Sequence, residues 1–206
     1  MSDFFTPPPR QEPPEHEYEQ PPWLGPPANE LGVPVPLRIL LGRTDEVAVA
    51  LVDVAAFSTG LEFRMEVRLR EHDEQSDPFG MHMHHVHRHG GELPDEMLRF
   101  GFELADGRRV TNIGSFPGLD ADVDDPVLIQ RGGGGGGRSW SFGYWLWPLP
   151  PAGTLTVVVE WPSQSIELTR VELDAAPLLD AAALSEALWP GAEPSGGGSV
   201  TTQIVR

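Results

Sequence analysis

Five of the seven histidines fall within eight residues: His82, His84, His85, His87 and His89, in the run Met81-His82-Met83-His84-His85-Val86-His87-Arg88-His89-Gly90-Gly91. Neutral imidazole is a common ligand for transition metals, and in an extended chain residues two apart share a face. His82 with His84, or His85 with His87 and His89, could therefore converge on one Zn, Ni or Cu ion. Such a cluster would make the chain a transition-metal-binding protein or a metal-dependent hydrolase. A tuned site also needs groups that orient its ligands. The nearby Asp73, Glu74, Asp77 and Glu92 lie in equally loop-like sequence, and Asp77-Pro78 and Gly90-Gly91 flank the cluster. Adventitious chelation by a loop is the plainer expectation. The same imidazoles would gain positive charge as pH falls through about 6.5.

A second feature is aromatic. In Trp140-Ser141-Phe142-Gly143-Tyr144-Trp145-Leu146-Trp147, an alternating strand puts Trp140, Phe142, Tyr144 and Leu146 on one face. Trp145 and Trp147 fall on the other face, beside Ser141 and Gly143. Exposed, that pair is a platform for a carbohydrate, another ligand or a partner protein; buried, it is core between layers. Six glycines, Gly132 to Gly137, precede this strand between Arg131 and Arg138. They lack the Lys and Ser/Thr of a phosphate loop, so a flexible connection is expected rather than an anion site. Asp120, Asp122 and Asp124 copy the first alternate carboxylates of a calcium loop, but Asp125 stands where Gly is needed and Arg131 where the bidentate acid is needed. A solvated acidic turn follows.

Composition excludes several chemistries. The chain has no Cys, and all fourteen of its basic residues are Arg. Disulfides, thiolate nucleophiles, Cys-ligated metals and Lys-based catalysis are thereby absent. A formal charge of −17 argues against nucleic acid and anionic membranes as partners. Met1 to Gln20 lacks a basic start followed by an apolar run, and no apolar stretch approaches the roughly 20 residues of a membrane span. A cytoplasmic location is the expectation. No Gly-x-Ser-x-Gly elbow, His-Glu-x-x-His motif or dinucleotide fingerprint occurs, so the reading leans away from an enzyme.

The elements that would position these residues read as follows. Residues 1–35 are rich in proline, which fixes φ and removes a donor, so an extended or disordered tail is expected; Trp23 and Leu24 are candidates to pack back. Strands are read at 36–43, 46–57 and 61–70, with Leu61, Phe63, Met65, Val67 and Leu69 alternating with charged residues. Residues 71–96 form the His-rich loop. Strands resume at 98–104 and 109–113 around an Asp106-Gly107 turn, then at 126–130, 140–147, 154–161 and 166–174, the last with a bulge near Thr169 or Arg170. A helix over 176–189 carries Leu178, Ala181, Leu184 and Leu188 on one stripe, and 191–206 is a Gly/Ser-rich tail. The fold class is mainly β: an antiparallel β-sandwich of about eight strands in a single domain, 36–190, with one C-terminal α-helix.

Trp145-Leu146-Trp147-Pro148-Leu149-Pro150-Pro151, the glycine run before it, Glu160-Trp161-Pro162 and the closing helix resemble a family of small uncharacterised all-β proteins of high-GC, actinobacterial-type bacteria. The resemblance spans about residues 30–190 and implies no activity and no functional residues. From the residues themselves, the leading expectation is a non-catalytic interaction or accessory module with a protein partner or a homo-oligomeric state. Its alternatives are the metal-binding and carbohydrate-binding readings above.

Overall fold

The computed structural model describes residues 20–71, 93–114, 116–118 and 122–189. Among these residues the chain forms β1 (Val33–Val35), β2 (Ile39–Arg43), β3 (Val47–Ala56), β4 (Leu61–Leu69), β5 (Arg99–Glu103), β6 (Arg109–Thr111), β7 (Val127–Gly136), β8 (Ser139–Trp147), β9 (Thr154–Trp161), a 3-10 turn (Pro162–Gln164), β10 (Ile166–Asp174) and α1 (Ala176–Ala182). Two antiparallel sheets result. One has six strands in the order β1-β3-β4-β8-β7, with β2 also on β3; the other runs β10-β9-β5-β6. The protein is a mainly β sandwich, not closed into a barrel, with one C-terminal helix.

Alternation places the core. In β4, Leu61, Phe63, Met65 and Val67 are buried while Arg64 and Arg68 are exposed. Leu155, Val157, Val159 and Trp161 do the same in β9. Each such side chain contributes about 1.5–3 kcal/mol on leaving water. At the centre, Phe63 stacks on Tyr144 at 5.8 Å and meets Phe102 edge-on at 5.2 Å, and Phe100 meets Tyr144 edge-on at 4.8 Å. The β5–β6 connection is a three-residue hairpin loop: the Gly107 amide donates to Leu104 O at 2.9 Å, and Gly107 takes φ +85°. That is the positive φ the Asp-Gly pair supplies.

The two long sides of the sandwich differ. On one, β2 packs against β9 and β10. Gly42 permits the approach, since a Cβ there would lie 2.6 Å from Ile166 Cγ2. On the other, the edge strands β6 and β7 are joined by residues 112–126 and leave a cleft between them.

Three expectations change. The proline-rich segment is not a tail throughout: from Gln20 it lies over the outer face of the six-stranded sheet, where Trp23 is buried with Phe57, Val127, Ile129 and Trp145. It then supplies β1, whose Pro34 is tolerated because β1 is an edge strand. The glycine run is not a loose connection, because Gly132–Gly136 continue β7 and pair with β8. A two-residue turn, Gly137-Arg138, follows, with Gly137 at φ +64° as a type II′ hairpin requires. Finally, α1 ends at Ala182, and Leu184 and Leu188 are exposed. The chain is captured instead by the proline-rich strap: Asn29 accepts from the Trp189 amide and donates to Trp189 O, and Ser185 Oγ donates to the Glu30 carboxylate. In β10 the bulge falls between Ile166 and Thr169.

Candidate functional site

The site begins with β7. Its first half, Val127 to Gln130, pairs with Trp147 to Tyr144 of β8, and its second half is glycine. Its other edge has no strand neighbour among the described residues. Along that unpaired edge lies a cleft of about 480 Å³, bounded by Val127–Gln130, by β6 and by Gly114, Phe116 and Pro117 of the connection. A volume in this range suits a ligand or an inserted segment. The walls are chiefly apolar, and Phe116 is 56% exposed.

Polar groups at the cleft are few. The Tyr144 phenol comes from β8, its ring buried in the aromatic core, and lies 3.5 Å from Gln130 Oε1. That distance is the outer limit of hydrogen bonding. Burial pushes its ionisation well above the usual phenol range, so the group is a neutral donor aimed at the edge of β7. Asn112 is buried and fully engaged: its Oδ1 accepts from the Phe100 amide at 2.8 Å and its Nδ2 donates to Leu98 O at 2.9 Å. It prolongs the β5–β6 ladder beyond Thr111 and fixes the start of the connection. Arg109 and Asp125 also line the cleft.

Trp145 lies behind this edge, not in front of it. It is 0% exposed, meets Phe57 edge-on at 5.6 Å and donates its indole N–H to Pro22 O at 3.2 Å. That removes it as a stacking platform, because the strap occupies the face a sugar ring would need. Trp147 is half-buried and packs on the same cluster. Arg131 anchors the strap, donating to Leu24 O at 3.1 Å. Arg138 is exposed at the hairpin tip. His82, His84, His85, His87 and His89 lie outside the described residues. Among the described residues, no group of three or more His, Cys, Asp or Glu side chains is placed to hold a metal ion. No described helix is long and apolar enough to cross a membrane.

A shallower depression of about 250 Å³ lies on the outer face of the four-stranded sheet, with Val158, Ile113 and the exposed Leu168 among its lining. Charged pairs surround it. Arg99 contacts Glu160 at 2.9 Å, and Glu103 is held by Arg109 at 2.9 Å and Arg170 at 3.3 Å. The Arg170 hydrogen bond, with Arg109 adding to it, holds the Glu103 carboxyl below its usual range. These arginines are already neutralised by partners, which leaves the β7 cleft as the less satisfied of the two surfaces.

Sequence reasoning did not find the cleft. Its walls are β6, the connection and β7, neighbours in the chain that frame a cleft only because their strands sit at the edges of two different sheets, and the local signal was Phe116, a large apolar residue in a connection rich in Gly, Pro and Asp. Comparison with protein-family models, with curated proteins and with solved structures finds no match to this chain.

Proposed function

We propose that this chain is a non-catalytic interaction module, an accessory β-sandwich that recognises an extended protein segment by strand addition at β7. The observation that carries the reading is the position of the cleft, which runs along the edge of β7 that has no strand neighbour among the described residues. In strand addition, backbone hydrogen bonds supply affinity and pockets beside the edge select side chains. Here β7 offers the unpaired amides and carbonyls, and the apolar cleft beside Val127–Gln130 offers the pocket. The neutral Tyr144 hydroxyl and Gln130 stand at its margin as donor and acceptor.

The test uses the full chain and a library of ten-residue extended peptides, with proline-interrupted versions as controls. Binders are mapped by amide hydrogen exchange. Protection gained along residues 127–136, and lost with the prolyl controls, supports the reading. Binders that protect the outer face of the four-stranded sheet and leave β7 unchanged overturn it.

A further inference from the structure

The pairing of β7 with β8 slips by one residue between Gln130 and Gly132, leaving Arg131 as a bulge. Before the slip, Leu128 and Gln130 stand opposite Leu146 and Tyr144 on the core face, and Val127 and Ile129 opposite Trp147 and Trp145 on the outer face. After it, Gly133 and Gly135 stand opposite Phe142 and Trp140 on the core face, while Gly132, Gly134 and Gly136 take the outer face. The bulge therefore reverses which residue numbers, odd or even, face the core.

We infer that the segment seated on this edge is β7 of a second copy of the chain, antiparallel about a two-fold axis at Gly132; this rests on the strand-addition reading above. A two-fold perpendicular to the sheet keeps core face beside core face, so each cross-strand pair must come from the same face. With Gly132 opposite its own equivalent, Gln130 meets Gly133, Ile129 meets Gly134, Leu128 meets Gly135 and Val127 meets Gly136. Every one of these pairs obeys the condition, as pairs placed symmetrically about a two-fold at a strand residue must, with Arg131 of each copy bulged out of the ladder.

Bulk matches as well as register. Each residue with a side chain in the first half of β7 meets a glycine of the second copy. The half that enters the cleft beside Gly114, Phe116 and Pro117 is thus the half without side chains, the slimmest strand a chain can offer. Charge matches too. Asp125 precedes β7 and Arg138 closes its hairpin, so the antiparallel arrangement brings the end of one copy that carries Asp125 to the end of the other that carries Arg138. Both are exposed, and neither has an ion-pair partner among the described residues. Two chains of formal charge −17 repel overall, so a contact that is locally balanced is what their association needs. The second copy also closes the open side of the cleft, which makes the site a product of both chains.

Sedimentation velocity of the full chain over a concentration series tests this, and a dimer is the expected result. Asp125→Arg and Arg138→Asp should each weaken it about tenfold, from two exposed pairs lost per dimer and the repulsion added, and the double exchange should restore it. Gly134→Glu should give a folded monomer, because a side chain there meets nothing within 4 Å in the single chain; circular dichroism confirms the fold. A chain that stays monomeric at its highest soluble concentration overturns the inference, and so does a dimer indifferent to all of these variants. A monomer that binds a foreign extended peptide along residues 127–136 leaves the strand-addition reading standing while this inference falls; a monomer that binds none removes both.

Discussion

Trp145→Ala separates a buried anchor from an exposed platform. The side chain is 0% exposed, and a tryptophan of this kind removes about 150–250 Å² from water. At about 25 cal/mol per Å² the burial contributes at most about 4–6 kcal/mol. The indole hydrogen bond to Pro22 O, 3.2 Å long, adds about 1 kcal/mol. Truncations of this type cost about 3–5 kcal/mol in practice, a large share of the roughly 5–15 kcal/mol that holds a domain folded. The assay is urea unfolding followed by far-ultraviolet circular dichroism, with hydrogen exchange of residues 20–32 as a second readout. The midpoint should fall by the equivalent of about 3–5 kcal/mol. The strap should also exchange faster than the sheets, because Trp145 is its principal partner beside Phe57 and Ile129. A loss below about 1 kcal/mol, the usual range for a surface site, would refute the reasoning, as would a strap whose exchange is unchanged.

Three further outcomes are expected. Gly133→Ala should destabilise by about 1–3 kcal/mol, since φ is +139° and a Cβ would lie 2.5 Å from Ser141 O; Gly136→Ala, with ordinary φ and open space, should change thermal stability by less than about 1 kcal/mol. Asn112→Ala strands the Phe100 amide and the Leu98 carbonyl and should cost on the order of 3 kcal/mol in denaturant titration, with faster exchange at the end of β6. Acidification should weaken the outer face of the four-stranded sheet. The Glu103 carboxyl is held below its ordinary 4.5 by Arg170 and Arg109, so its contribution is complete above pH 4.5 and is lost as pH falls through the depressed value. The Glu103→Gln variant should show a flatter acid limb in a pH series of melting curves, and an identical limb would refute that assignment.

Much of the sandwich was legible because burial on one face writes itself as alternation. Leu61 to Leu69 and Leu155 to Trp161 carry that pattern, and Asp106-Gly107 carries the turn. The face of Trp145 was not legible, because β8 is apolar on both sides. Its outer side is covered by Pro22, Trp23 and Leu24, from a stretch whose proline content reads as solvated. Proline forbids a central ladder position; it does not forbid an edge strand or packing, and two aromatic or aliphatic residues in the strap were enough to hold it down. The glycine strand failed for another reason. Six identical residues without side chains have no period, and what makes them a strand is the backbone of β8 beside them, a partner that only the folded chain supplies. The end of the helix was lost similarly, since Leu184 and Leu188 continue a helical stripe that Asn29, more than 150 residues away in the chain, interrupts. The histidine cluster lies outside the described residues.

The free edges of the two sheets are not treated alike, and the difference bears on where a partner docks. An exposed edge invites pairing with any passing strand, and natural proteins blunt it with brevity, proline or charge. Edge strand β1 has three residues and contains Pro34; β2 has five, with a register shift between Leu40 and Gly42 and Arg43 at its end; β6 has three and begins with Arg109; β10 exposes Glu167, Arg170, Glu172 and Asp174. Strand β7 has ten residues, no proline, and a single charge at the bulge, Arg131, which is turned to the strap. Its glycines add no bulk that would keep another backbone away. A chain that blunts its other four edge strands among the described residues and leaves the longest one bare either tolerates aggregation there or uses that edge. On the inference drawn above, the match of bulk and of flanking charge of β7 against itself favours the second alternative, because aggregation requires only an open edge and neither of those correspondences.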